Sequence, residues 1–207
     1  RTGELSCIVS TSAFGEGVNI PNVRSVVLYD MPLGRVEFNQ MSGRAGRDGA
    51  PARIHLLYSA RDARINEHLL DDQAPEREEL VTLYRALQTM WRRHRGATGE
   101  PRFSASDHDI AGMCLAIDTR APLDERAVPG GLAIFEELGF VRLAGIEDSR
   151  TIEMVEEPGR VDLTQSIRYL EGLHARMAFD AFRSWALGAS ARDMLHRINR
   201  PIVPRMD

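Results

Sequence analysis

Lysine is missing from this chain: every one of its 26 basic residues is an arginine. A phosphate loop of the pattern G-x-x-x-x-G-K-[ST] needs a lysine that reaches the terminal phosphates of a nucleotide. The chain cannot contain such a loop, so we expect that it does not hydrolyse ATP by itself. We attribute the complete use of arginine to a GC-rich genome rather than to function.

Cysteine is scarce as well, and Cys7 and Cys114 are isolated from each other. We predict that both are buried, reduced thiols of a cytosolic protein. A zinc module with four cysteines is excluded, and the six histidines show no metal-ligand spacing, so we expect no metal and no zinc. No apolar run is long enough to cross a membrane, so we expect no membrane partner.

The chain has 207 residues, which fits one large or two small domains. Its net charge of −4 argues against a uniformly basic surface but allows a local basic face. The first residues, Arg1 to Gly3, are neither an initiator methionine nor a signal peptide. We therefore expect that this sequence is cut from a longer protein.

The most informative stretch is residues 40–49, which read QMSGRAGRDG. Arg44 and Arg47 lie three residues apart among glycines, and Gln40 lies one helical turn before Arg44. A guanidinium is permanently charged and presents a planar fork of donors that suits phosphate, and glycines permit the tight turns that can aim it. The pattern is typical of an arginine finger, and a plain Gly/Arg-rich surface loop is the alternative.

A second stretch precedes it. Residues 10–21 read STSAFGEGVNIP, and residues 22–32 read NVRSVVLYDMP, which includes a valine-rich strand pattern. With residues 40–49, they make the region from about 5 to 60 resemble motifs V and VI of superfamily 2 helicases, in particular those of the RecQ-type DNA helicases. The two motifs occur in the expected order with a strand between them.

This resemblance implies roles for individual residues. It makes Arg47 the finger, Arg44 its partner at the γ-phosphate, and Gln40 a sensor of the nucleotide or its water. It also implies nucleotide contacts by Gly17, Asn19 and Gly43, and contacts to the DNA backbone by Thr11 and Ser12. For Thr11 and Ser12, helix capping is the alternative; for Asp48, the alternatives are orienting an arginine and forming a solvent turn with Gly49.

The resemblance further implies partners and cofactors. ATP with Mg²⁺ would be held mainly by a missing upstream helicase domain, and the nucleic acid would be DNA, either single-stranded or forked. We expect a cytoplasmic, nucleoid-associated bacterial protein of DNA repair or recombination. The four-cysteine zinc module common in RecQ-type helicases is absent, so we do not expect a standard RecQ.

The first part of the chain, residues 1–73, is predicted to be the C-terminal part of a RecA-like lobe with the α/β fold of P-loop NTPases. Apolar runs predict strands at Leu5–Ser10, Ser25–Tyr29 and Ala52–Tyr58. A capping box at Ser59 and Asp62 predicts a helix that continues to Leu70. A polar linker over Asp71–Glu76 would then separate the domains, and the sheet would expose an edge strand.

Residues 77–160 predict a winged-helix-like domain, with three helices followed by a hairpin. Arg92 and Arg93 lie at the end of the first of these helices. They are interpreted either as a DNA-phosphate patch or as cations that favour a helix C-terminus. The predicted wing is acidic, which leaves both a DNA-contacting and a protein-contacting wing open; its acidic residues are Glu153, Glu156 and Glu157.

Residues 161–207 predict a helical C-terminal segment: one long helix over Asp162–Leu187, or two that break near Gly172, and a last helix that Ser190 would cap. From Gln165 onward the tail resembles that of RecJ-like exonucleases fused to a helicase, so an exonuclease domain is an expected partner. The alternative to a helicase fragment is a non-catalytic DNA-binding scaffold module of a RecJ-like, single-strand-specific exonuclease.

Overall fold

A computed structural model describes residues 6–11, 20–120, 123–145, 150–156, 159, 161–190 and 192–193. The chain divides into two compact units. The first comprises residues 1–66 together with 177–207, and the second comprises residues 67–176. Both contain helices around a small sheet, so the predicted mixed α/β class is confirmed.

The first unit contains a βαβ arrangement. Strand β1 (Ser25–Tyr29) pairs in parallel with β2 (Arg53–Leu57), and helix α1 (Arg35–Ser42) connects them. The register joins Ser25 to Arg53 and Tyr29 to Leu57. A parallel pair requires a crossover connection, which α1 provides. The strands predicted at Ser25–Tyr29 and Ala52–Tyr58 are confirmed, with the second strand one residue shorter at each end.

The strand predicted at Leu5–Ser10 is wrong for the described residues. Residues 6–10 are not in a strand, and their side chains are exposed. Cys7 is therefore exposed rather than buried, whereas Cys114 is buried as predicted. The physical reason is that β-branched composition favours a strand only where a neighbouring strand completes the hydrogen-bond ladder, and the described sheet contains only β1 and β2.

The apolar core of the first unit lies around Phe38 on α1. Its ring lies 5.5 Å from the ring of Phe182 and 6.0 Å from that of Trp185, both on helix α6 (Ile167–Gly188). The other side of the β1–β2 pair is open to solvent, where Val27 is 55% and Tyr29 is 82% exposed.

Helix α2 (Ala60–Gln73) begins at the predicted place, where the Asp62 carboxylate accepts hydrogen bonds from the backbone and hydroxyl of Ser59. It continues three residues beyond the predicted end, so the first half of the predicted polar linker is helical. The rest of that segment is not an exposed linker either, because Ala74 and Pro75 are buried. The Arg176 guanidinium donates to Asp71 at 3.0 Å and also to the Ala74 carbonyl, which fixes this segment within the second unit.

In its described residues, the second unit contains three complete helices, parts of α2 and α6, and a three-stranded antiparallel sheet. The strand order is β3 (Arg102–Ser104), β5 (Thr151–Met154), β4 (Val141–Ala144). Short 3₁₀ helices lie at Glu125–Ala127 and Leu163–Gln165. The remaining elements, in chain order, are α3 (Arg77–Thr98), β3 (Arg102–Ser104), α4 (Asp107–Ile117), α5 (Val128–Glu137), β4 (Val141–Ala144) and β5 (Thr151–Met154).

Local sequence explains where these helices begin. A reciprocal capping box of Glu76 and Glu79 starts α3, and one of Ser106 and Asp109 starts α4. The apolar stripe of α3 is buried at the centre of the core, as its helical spacing predicts. The fully buried side chains of this core include Leu83, Leu87, Ile110, Leu132, Ile134 and Ile152.

Two details of the second unit differ from the sequence expectations. Strand β3 was not predicted, because three residues are too few to show an alternating pattern. Of the two alternatives for the C-terminal helix, the single long helix is confirmed, because α6 does not break at Gly172; its start at Ile167 rather than Asp162 is the difference. A β-carbon at Gly172 would lie 2.2 Å from the β-carbon of Ala74, so this glycine permits close packing instead of ending a helix. The predicted last helix and tail lie almost entirely outside the described residues.

Gly130 provides a test of the packing between α5 and the end of α2. A β-carbon at Gly130 would lie 2.6 Å from the Gln73 carbonyl oxygen and 2.7 Å from that of Asp72. Because both contacts are to backbone, we expect Gly130→Ala to lower the free energy of unfolding by roughly 1–3 kcal/mol, measured by chemical denaturation.

The matched control is Gly112→Ala in α4, where a β-carbon would meet nothing within 4 Å. Alanine favours a helix over glycine by about 1 kcal/mol, so this variant should be as stable as the wild type or more stable. Equal stabilities of the two variants would show that α5 does not approach the α2 end as closely as described.

Candidate functional site

The arginine-rich motif forms a turn between α1 and β2. Helix α1 carries Gln40 and ends at Gly43, whose N–H donates to the Asn39 carbonyl at 2.8 Å. The turn that follows bonds to the segment immediately before β1, so it lies at the amino-terminal edge of the β1–β2 pair. This is the edge opposite to the one where open α/β sheets usually bind their own ligands.

Gly46 fixes the path of this turn. Its φ is +60°, in the left-handed region that favours glycine, and its N–H donates to the Val23 carbonyl at 2.9 Å. A β-carbon at this position would lie 2.7 Å from the Ala50 carbonyl oxygen. The N–H of Asp48 donates to the Pro21 carbonyl at 3.2 Å, which attaches the turn at a second point.

Asp48 forms an ion pair with Arg24, the residue before β1. Both guanidinium NH groups contact the carboxylate, the NH1–Oδ1 distance being 3.0 Å. The carboxylate also accepts the N–H of Ala50 at 3.1 Å. The Arg24 hydrogen bond comes first among the causes that lower the pKa of Asp48 to about 2, so the carboxylate stays ionised at neutral pH. Asp48 thus pairs with an arginine outside residues 40–49 and also caps the turn.

The two motif arginines differ in exposure. Arg47 is exposed, and its Nε donates to the Gly43 carbonyl at 3.3 Å, whereas Arg44 is half-buried. A carbonyl at a helix C-terminus has no partner within the helix, and it attracts cations. Gln40 is exposed on α1 just before them. The described turn therefore brings Gln40, Gly43, Arg44 and Arg47 together at one helix end, in a setting where the arginines are the groups able to attract an anion.

The other residues predicted from the sequence as contacts to nucleotide or DNA lie outside this turn. Thr11 is exposed, and Ser12, Gly17 and Asn19 lie outside the described residues. Arg92 and Arg93 are exposed near the end of α3, in the second unit. The roles given to these residues stay predictions.

Two residues of this region were not singled out from the sequence. Arg24 lies inside the strand motif, but its partner is 24 residues away, so no local spacing reveals the pair. Asp30, directly after β1, has φ of 92°, and it is the only non-glycine residue in the described ranges with a positive value. The preceding strand and the following Met31-Pro32 indicate a sharp turn at this point. They do not predict that φ of Asp30 is positive.

Among the described residues, no three His, Cys, Asp or Glu side chains are grouped so that they could hold a metal ion. No described helix has both the length and the apolar character needed to cross a bilayer.

Comparisons with known proteins match this region. Residues 1–49 match the family model of the helicase conserved C-terminal domain. The chain is 31% identical over 126 residues to the ATP-dependent DNA helicase RecQ of Bacillus subtilis (58% of this chain, 21% of that protein). It is 40% identical over 129 residues to the human ATP-dependent DNA helicase Q4 (62% of this chain, 9% of that protein). No solved structure matches the chain.

The bifunctional 3'-5' exonuclease/ATP-dependent helicase WRN of mouse is 38% identical over 80 residues, which is 39% of this chain and 6% of that protein. The chain thus spans only a small part of the length of these relatives. The alignments with RecQ and Q4 are longer than the 49 residues of the family match, so the similarity extends beyond the arginine turn. Over residues 1–49 the chain is therefore similar to the helicase conserved C-terminal domain, and over about three fifths of its length it is similar to RecQ-type DNA helicases.

Proposed function

We propose that this chain is the C-terminal part of an ATP-dependent DNA helicase and that it supplies the arginine finger to a nucleotide held by another domain. One observation carries the proposal: Arg47 is exposed on a turn whose backbone is bonded to the strand-entry segment at Gly46 and Asp48. An arginine that acts on an external phosphate must be both accessible and fixed in position.

The residues of the turn fit a phosphate ligand but not a whole ATP site. Two guanidiniums suit the γ-phosphate, where negative charge develops during phosphoryl transfer. The chain has no lysine for a phosphate loop, so a domain elsewhere must hold the nucleotide and its Mg²⁺. Arg47 would approach the γ-phosphate, Arg44 would assist it, and Gln40 would contact the nucleotide or its water. Gly17, Asn19 and Gly43 would lie on the nucleotide side.

The second unit is proposed to be a winged-helix-like module that contacts DNA. Its helices α3, α4 and α5 and its β4–β5 hairpin support that assignment. Arg92 and Arg93, both exposed near the end of α3, would bind DNA phosphate. Thr11 and Ser12 would contact the DNA strand from the first unit.

The finger assignment predicts the effect of Arg47→Ala in the full-length protein. DNA-stimulated ATP turnover should fall by about a thousandfold or more, because a finger stabilises charge that is present mainly in the transition state. Nucleotide binding should weaken much less. Steady-state turnover with saturating single-stranded DNA, together with binding of a fluorescent ATP analogue, measures both quantities.

Arg53→Ala is the matched control, since Arg53 is an exposed arginine on β2 of the same unit. It should retain turnover close to that of the wild type. Arg47→Lys should remain impaired, because an ammonium lacks the guanidinium fork. Unchanged turnover in Arg47→Ala would make the finger assignment wrong, and DNA binding without any turnover in the wild type would favour a scaffold.

The proposed role of α3 predicts a second result. Arg92→Glu combined with Arg93→Glu should weaken DNA binding and reduce the slope of log K against log salt concentration by about 0.7–0.9 for each lost phosphate contact. The control combines Arg61→Glu with Arg64→Glu, which reverses two exposed charges on α2. If both double variants change the slope equally, Arg92 and Arg93 serve only as favourable cations of a helix end.

A further inference from the structure

The outer face of the three-stranded sheet carries one row of charged side chains. Arg102 on β3 and Arg142 on β4 both lie opposite Glu153 on the central strand β5. The Nε of Arg102 lies 2.8 Å from Glu153 Oε2, and NH1 of Arg142 lies 3.4 Å from Oε1. One carboxylate is thus shared by two guanidiniums, each on a different neighbouring strand.

The sharing leaves both arginines accessible. The side chain of Arg102 is 69% exposed and that of Arg142 is 76% exposed, whereas Glu153 is 23% exposed. Each guanidinium has several N–H donors, and the contacts to Glu153 use only part of them. The hydrogen bond from Arg102 is the largest cause that lowers the pKa of Glu153, so the carboxylate is ionised at neutral pH. The row therefore carries a net positive charge and retains donors for an outside partner.

The side chains next to this row are short. One step along the strands, Ser104 and Ala144 lie opposite Thr151. The residues between them point to the core, where Phe103 and Ile152 are buried. Because these neighbouring side chains are short, a broad ligand can approach both guanidiniums on the outer face of the sheet. The described residues of this face include no aromatic side chain, so they offer no stacking surface of the kind on which single-stranded nucleic acid usually depends.

The end of α3 adds positive charge beside the sheet. Its Trp91 indole N–H donates to the Pro101 carbonyl at 3.0 Å, just before β3. Arg95 pairs with Glu156, beyond the end of β5, and its guanidinium lies 5.0 Å from the centre of the Trp91 ring. Among the described residues of the α3 end and the three strands (92–104, 141–145 and 151–156), arginines outnumber carboxylates: Arg92, Arg93, Arg95, Arg102 and Arg142 against Glu100, Glu153 and Glu156.

We propose that the outer face of the β3-β5-β4 sheet binds the phosphate backbone of duplex nucleic acid, with Arg102 and Arg142 as the contacting residues. Glu153 positions them by holding both guanidiniums in place. This inference rests on the proposed role in DNA binding. A duplex presents rows of phosphates that can occupy both forks, and a guanidinium can bind phosphate through two parallel hydrogen bonds.

The test is equilibrium binding of the full chain to a fluorescent DNA duplex over a series of salt concentrations, without nucleotide. Arg102→Gln combined with Arg142→Gln should reduce the slope of log K against log salt by about 1.8, since each phosphate contact contributes about 0.9 for duplex DNA. The control combines Arg120→Gln with Arg168→Gln. Those arginines are also exposed and also paired with carboxylates, Asp118 and Glu137, so equal charge is removed elsewhere.

Glu153→Gln tests whether Glu153 positions the two arginines or only repels phosphate through its negative charge. If Glu153 only repels phosphate, Glu153→Gln should tighten duplex binding and leave the slope of log K against log salt concentration unchanged. If Glu153 positions the two arginines, the slope should fall towards that of the arginine double variant. Circular dichroism of each variant shows whether its fold is retained.

Other outcomes overturn the proposal. Equal slopes for the Arg102/Arg142 variant and its control would remove these residues from the interface, while a loss in the Arg92/Arg93 variant would keep the general DNA role. Tighter binding of a single strand than of the duplex would exclude a duplex surface. Displacement of the duplex by polyglutamate at equal charge concentration would identify a surface for acidic protein. No binding at any salt concentration would contradict this inference without affecting the turnover test of Arg47.

Discussion

The positive φ of Gly46 is the constraint on which the arginine turn depends. Its N–H bond to Val23 attaches the turn to the entry of β1, and the close approach of the Ala50 carbonyl leaves no room for a side chain. Arg47 follows this glycine directly, so its backbone position is set by the main chain rather than by the burial of its side chain. A guanidinium held in this way can be fixed and exposed together, as recognition of an external phosphate requires.

In each unit, the exposed ion pairs contribute more by positioning arginine side chains than by stabilising the fold. Exposed pairs contribute only about 0–1 kcal/mol, and Arg24–Asp48 and Arg95–Glu156 are both of this kind. Arg150 and Asp107 differ, because the Arg150 side chain is only 10% exposed and its NH1 lies 2.7 Å from Asp107 Oδ1. Loss of one partner there would leave a buried charge unpaired, which is costly. We therefore infer that the Arg150–Asp107 pair stabilises the fold, whereas the exposed pairs mainly set the positions of their arginine side chains.

The elements near the arginine turn could be predicted because local sequence specifies them. A valine-rich run predicted β1, and the capping box at Ser59 and Asp62 predicted the start of α2. The failures involve information that no local window contains. Residues 6–10 have strand composition without a described neighbouring strand. The choice between one long helix and a break at Gly172 depends on Ala74, which packs against that glycine and is distant in sequence. The partner of Asp48 could not be predicted, since β1, α1 and the turn must first form to bring Arg24 near it.

The acidity of strand β5 and the residues after it shows how a segment and a surface can differ in charge. In the sequence, Glu153 and Glu156 argue against a DNA contact, because they are counted with their chain neighbours. In the fold, strand pairing brings Arg102 and Arg142 to Glu153, and the end of α3 brings Arg95 to Glu156. The charge that a ligand meets is the sum over these spatial neighbours. Each unit thus contains a carboxylate that holds arginine near the surface, and in the second unit that arrangement converts an acidic strand into part of a basic face.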